Sequence, residues 1–146
     1  NGYLFAFVGI LIACIQGGLI GPLTRRYGEA RMVVLGAIAL TAGLGLVPLS
    51  HQLTVLFGAM AILAIGYSIM TPTLNSLISL QAPAEEQGAI MGATRSAMTL
   101  ARVLGPVLAG LIFWAIGKDW PYWVGALIMA YVAVLAWRTV QDRAKN

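Results

Sequence analysis

Residues 32–84, MVVLGAIALTAGLGLVPLSHQLTVLFGAMAILAIGYSIMTPTLNSLISLQAPA, contain no Asp, Glu, Lys or Arg and a single imidazole, His51. A water-facing surface cannot be built from such a stretch, so its solvent is lipid. As one helix it would reach about 80 Å at about 1.5 Å per residue, whereas the hydrocarbon core of a bilayer is about 30 Å thick. The chain therefore folds back within it, and Pro48-Leu49-Ser50-His51-Gln52 supplies the turn. Two spans result, Met32 to about Leu49 and Leu53 to about Leu80, the second closed by Gln81-Ala82-Pro83. Pro72 is predicted to kink the second span, because its ring removes one backbone hydrogen bond and crowds the preceding turn.

Working outward, Tyr3 to Leu23 is apolar apart from Gln16 and ends at the polar run Thr24 to Arg31. On the other side, Pro83 followed by Ala84-Glu85-Glu86 reads as a helix start, since Pro fits a first turn and carboxylates complement the N-terminal dipole. That helix is predicted to run to Ile116, Gly117-Lys118-Asp119 to turn the chain, and a fifth span to occupy Trp120 to Trp137 before a polar tail, 138–146. The fold expected is an all-α integral membrane bundle with spans 3–23, 32–49, 53–80, 84–116 and 120–137. Composition agrees: of 146 residues 60% are hydrophobic and 10% charged, with mean hydropathy +0.86, against roughly 25% charged in a soluble domain.

The net charge of +4 does not indicate nucleic acid, because the basic residues sit in short groups between apolar runs and assemble no basic face. They read instead as topological anchors. With five crossings, the first turn, the third turn and the tail share one side of the membrane. That side collects Arg25, Arg26, Arg31, Arg138, Arg143 and Lys145, and the other only Lys118. The excess of Lys and Arg predicts a cytoplasmic C-terminus in the cell's inner or plasma membrane. Trp114, Trp120, Tyr122 and Trp123 bracket the fourth turn as an aromatic belt at the outer interface does.

Polar groups within the spans are few. Arg102 is the one formal charge placed inside the hydrocarbon region, a cavity or gate candidate by default, although snorkelling to the nearby interface is a real alternative. Arg95 lies seven residues earlier on nearly the same face. Gln16, Tyr67, Ser68, Thr71, Asn75 and Ser76 either line a solute path or hydrogen-bond between helices. The fourth span carries small residues, Gly88, Gly92, Ala97, Ala101, Gly105, Ala109 and Gly110, with Pro106 among them. Such a stripe lets helix backbones approach closely, either as plain packing or as a contact that slides during function. Every carboxylate, Glu29, Glu85, Glu86, Asp119 and Asp142, falls at a helix end, turn or tail, so none is placed to carry a proton through the bilayer. One His and the lone Cys14 make no metal constellation, no Gly-rich phosphate loop follows a strand, and neither cofactor nor enzymatic activity is expected.

The run Gln16 to Arg31 resembles the loop motif of the major facilitator superfamily, in the copy between helices eight and nine, with Gly21, Leu23, Arg26, Gly28 and Arg31 at the pattern's positions. Arg25 stands where the copy in the N-terminal half has an Asp, so the role of that Asp is not carried over. Ala82 to Gly92 and Leu100 to Gly110 are similar to the loop before helix eleven and to helix eleven. The resemblance covers nearly the whole chain and is nearest to the drug:proton antiporters of the tetracycline and multidrug exporter type.

The resemblance implies five helices of a six-helix C-terminal bundle in a twelve-helix transporter. Helix seven, the N-terminal half and the usual proton-coupling carboxylate would then lie outside this chain. It also implies a small-molecule substrate, proton coupling, and alternating access between two bundles that rock about a midplane site. Helices eight, ten and eleven would border the cavity, with nine and twelve supporting them from outside. Gln16, Tyr67, Thr71, Asn75, Arg95, Met98 and Arg102 become the candidates for cavity or gate positions, and Arg25, Arg26 and Arg31 for a cytoplasmic clamp. Asn1 in place of Met fits an expectation that the natural protein begins earlier. The rival expectation is a small membrane scaffold whose Gly/Ala stripe only packs helices.

Overall fold

The computed structural model describes residues 2–145, with the side-chain surroundings of all of these except Leu4, Phe5 and 142–145. Asn1 and the side chains of Arg143 and Lys145 in the basic tail therefore lie outside what is described. The described residues form helices joined by short turns, with no strand among them. The elements are α1 (Gly2–Cys14), a π-helical turn (Ile15–Leu19), α2 (Ile20–Tyr27), α3 (Glu29–Leu46), α4 (Leu53–Gln81), α5 (Gln87–Ala115) and α6 (Trp120–Lys145). The first three form one continuous rod, so there are five helices long and apolar enough to cross a membrane.

Three boundaries differ from those expected. The basic run Thr24 to Arg31 is not a loop: α2 continues to Tyr27, α3 starts at Glu29, and only Gly28 lies outside a helix. Gly28 has φ 80° and ψ 153°, a region almost closed to residues with a Cβ, which is how one residue reverses the chain. Pro83 to Glu86 form a turn, and α5 begins only at Gln87 with Glu86 as its N-cap residue. Its start is tied back to α4 by the Gln87 amide, which donates to Ser79 Oγ at 2.8 Å. The expected polar tail is the last part of α6, helical to Lys145. Helix α4 is unbroken across Pro72. There Thr73 satisfies its hydroxyl by donating to the carbonyls of Ile69 and Met70.

The core lies along α3, which packs chiefly on α4 and next on α6. Its buried residues are Met32, Val33, Val34, Gly36, Ala37 and Gly43. The resemblance places this span outside the cavity as a support; within this chain α3 takes part in the two most extensive helix contacts, with α4 and with α6. Two glycines set the α3/α4 spacing. A Cβ on Gly66 would stand 2.8 Å from the Leu40 amide nitrogen and 2.9 Å from the Gly36 oxygen, and a Cβ on Gly36 would stand 2.8 Å from Met70 Cβ. Gly43 is equally tight, 2.6 Å from Leu63 Cγ. Against α6, Ala126 is buried and Gly125 meets Leu44.

Lipid offers no hydrophobic drive for helices to pair, so this close backbone approach is where cohesion arises. The rod rests on α4 through an edge-to-face pair, Phe7 and Phe57, with centroids 5.5 Å apart. Helix α5 has no buried residue and touches α4 and α6 only sparingly.

Candidate functional site

The sequence candidates lie on three helices. Gln16 sits in the π-helical turn, exposed. That turn was not anticipated; its signal is Gln16-Gly17-Gly18 inside an otherwise apolar span, two glycines that let the helix widen. The π turn rests on α4 beside a wholly apolar crevice of about 230 Å³ whose lining includes Ile15, Leu19, Ile65 and Ile69. Tyr67, Thr71 and Asn75 repeat every four residues along one side of α4, Tyr67 exposed and the other two half-buried.

On α5, Arg95 and Arg102 are exposed and Met98 is half-buried. Arg95 borders a shallow depression with Ser96, Thr99 and Val103. The seven candidates are thus not gathered into one enclosed cavity by the described residues; they edge open faces. Among the described residues, no three or more His, Cys, Asp or Glu side chains are grouped to hold a metal ion.

The small-residue stripe of α5 lies open within this chain. A Cβ on Gly88, Gly92, Gly105 or Gly110 would meet nothing within 4 Å, and Ala97 and Ala101 are exposed, with Ala109 half-buried. Among the described residues, no helix approaches these four glycines closely. The close helix contact lies instead at Gly36, Gly43 and Gly66, and its signal was the seven-residue interval between Gly36 and Gly43, which puts both on one face of α3.

At the loop motif, Gly21 and Leu23 are helical residues of α2 and Arg25 and Arg26 occupy its last turn, both exposed. The Arg26 guanidinium lies 5.7 Å from the Tyr27 ring centroid, a cation–π distance. Glu29, the first residue of α3, accepts a long 3.5 Å contact from Ser76 Oγ of α4. Tyr27, Arg31 and Val140 border the same groove, so the motif corner and the C-terminal end of α6 lie together at one end of the bundle. Two buried hydroxyls, Thr24 Oγ1 and Ser68 Oγ, have no hydrogen-bond partner among the described residues. The threonines 41, 94, 99 and 139 instead donate to carbonyls four residues back.

Residues 2–146 match the sequence profile of the family described as Major Facilitator Superfamily. The chain belongs to the major facilitator superfamily. It is 28% identical over 141 residues to the mouse (Mus musculus) major facilitator superfamily domain-containing protein 10, covering 94% of this chain and 30% of that protein. It is 30% identical over 119 residues to the class C tetracycline resistance protein of Escherichia coli, covering 82% of this chain and 30% of that one. With mouse solute carrier family 22 member 18 it shares 28% identity over 138 residues, 94% of this chain and 34% of that protein. The chain thus spans about a third of the length of these superfamily relatives. Membership and five apolar helices make it part of a multi-pass membrane protein.

Proposed function

We propose that this chain forms helices eight to twelve of a twelve-helix secondary transporter, which moves a small organic solute across the inner or plasma membrane by alternating access. Proton-coupled efflux of drugs or metabolites is the form favoured by likeness to the tetracycline resistance proteins. The observation that carries the reading is the superfamily match along residues 2–146. The open faces support it. Neither the rod nor α5 buries a described residue, and in a twelve-helix protein these faces meet helix seven and the N-terminal bundle.

The substrate path then runs past Gln16, the Tyr67, Thr71 and Asn75 stripe, and Arg95, Met98 and Arg102. The α5 stripe, whose glycines no described helix approaches closely, is the surface against which the other bundle rocks. Arg25 and Arg26, exposed at the end of α2, reach the partner bundle's carboxylates or helix C-termini when the cytoplasmic side closes. The C-terminus of α6 is cytoplasmic in this arrangement.

Full-length parent protein in proteoliposomes tests the reading. An imposed proton gradient should drive uptake or release of at least one lipophilic drug, and Arg102→Ala should slow it by about tenfold, ~1.4 kcal/mol on the barrier, at unchanged protein level. Residues 1–146 alone should move nothing. Proteoliposomes that show no solute flux with or without a gradient, across a panel of drugs and metabolites, would overturn the proposal.

A further inference from the structure

A groove of about 450 Å³ opens where the end of α2, the start of α3 and the end of α6 meet. Arg31, Leu35 and Ile38 follow one another along one face of α3, and Tyr27, Trp137 and Val140 complete the lining. From Arg31 to Ile38 the groove descends about 10 Å at about 1.5 Å per residue. Leu35, Ile38 and Trp137 are 49%, 51% and 54% exposed, so the groove opens sideways and is not sealed by this chain. Among the described side chains that line it, the one formal charge is the exposed Arg31 guanidinium. Glu29, two residues before Arg31, does not line the groove; it accepts a 3.5 Å contact from Ser76 on α4 and borders an adjoining depression that Tyr27, Arg31 and Val140 share. Arg25 and Arg26 stand on the adjoining turn of α2, and Arg138 follows Trp137.

Depth fixes the chemistry. Helix α3 has 18 residues, about 27 Å and close to the thickness of the hydrocarbon core, so Arg31 near its start sits at headgroup level and Leu35 and Ile38 at acyl depth. Tyr27 and Trp137 are the aromatic types that favour that interface. We propose that this groove is a binding site for one anionic phospholipid, its phosphate paired with Arg31 and one acyl chain lying along Leu35 and Ile38. A guanidinium matches phosphate in a bidentate fork. The surrounding arginines favour a lipid with net negative charge over one whose ammonium they would repel.

The assignment rests on the family's membrane setting and not on the transport reading, so each fails by its own measurement. Full-length protein, stripped of lipid in detergent, is titrated with phosphatidylglycerol or phosphatidylcholine and the retained lipid is read by native mass spectrometry. One phosphatidylglycerol should be held per protein at least about tenfold more tightly than phosphatidylcholine, the size of one charge-assisted contact. Arg31→Gln should abolish that preference, Leu35→Trp should abolish retention by filling the track, and Arg25→Gln should change it less than Arg31→Gln. Soluble glycerol phosphate should not displace the lipid. Equal retention of the two lipids, an Arg31→Gln protein that behaves as wild type, or displacement by glycerol phosphate would each overturn the assignment. So would a photocrosslinker at position 35 that captures another segment of the polypeptide instead of lipid.

Discussion

Gly66→Ala is expected to destabilise the protein by about 1–3 kcal/mol, the range for forcing a methyl group into a packed contact. Two effects compete. In an exposed helix interior, Gly→Ala gains up to about 1 kcal/mol from propensity alone. At position 66 the added Cβ would stand 2.8 Å from the Leu40 amide nitrogen and 2.9 Å from the Gly36 carbonyl oxygen. Those are backbone atoms, which no rotamer change moves aside, so α3 and α4 must part, and dispersion falls off steeply with separation. The clash wins.

Gly36→Ala should act in the same direction, since its Cβ would meet Met70 Cβ and backbone nitrogen at 2.8 and 3.0 Å. The double variant should fall short of the sum, because one separation of the helices relieves both contacts. Thermal unfolding of the full-length protein in detergent, read by a thiol-independent dye or by loss of monodispersity, checks this. A Gly66→Ala protein as stable as wild type would mean that α3 and α4 do not cross at these glycines. Gly58→Ala, on α4 itself, is the internal comparison: its Cβ would meet nothing within 4 Å, so no loss of stability is expected from it.

The contrast between these glycines bears on what sequence conveys in a membrane protein. Spans were legible because the cost of burying charge in hydrocarbon is large and local: the charge-free run from Met32 to Ala84 fixed the α3 and α4 segments to within a few residues of what is observed. Helix continuity was less legible. Thr24 to Arg31 is polar enough to read as a loop, yet at an interface a helix carries such residues at no cost, and only the backbone of Gly28 marks the reversal. Packing partners were least legible. A stripe of small residues states that a helix can be approached closely, not which helix does so. The glycines of the α5 stripe were conspicuous in composition and meet nothing within 4 Å among the described residues, whereas Gly36 and Gly66, on two different helices, hold the core. The candidate solute path shares that limit, because Gln16, Asn75 and Arg102 sit on faces that, in the proposed transporter, a second bundle completes.

Gly28 and Gly21 occupy matching places in the loop motif, but the structure gives them different tasks, and substitution should separate them. Gly28 has φ 80° and is the only residue between α2 and α3. With a Cβ that conformation costs about 1–3 kcal/mol, and relaxing it swings α2, with Arg25 and Arg26, away from the end of α3. Gly28→Val should therefore lower drug efflux by the full-length protein by about tenfold or more at normal membrane abundance, since a clamp displaced by even a helix radius, about 2.3 Å, no longer meets its partners. Gly28→Asn should lose nearly as much as Gly28→Val, because the positive φ that Asn tolerates belongs to the left-handed helical region and not to ψ 153°.

Gly21 is helical, with nothing within 4 Å of where its Cβ would stand. This chain alone gives no reason for Gly21→Ala to lose either stability or activity. Efflux measured side by side in drug-sensitive cells, with abundance read by immunoblot, decides the matter. If Gly21→Ala abolishes efflux while leaving abundance intact, the open face of α2 is where the partner bundle seats. If Gly28→Val transports at the wild-type rate, the clamp assigned to Arg25 and Arg26 is wrong, because the one residue that orients them would then be dispensable.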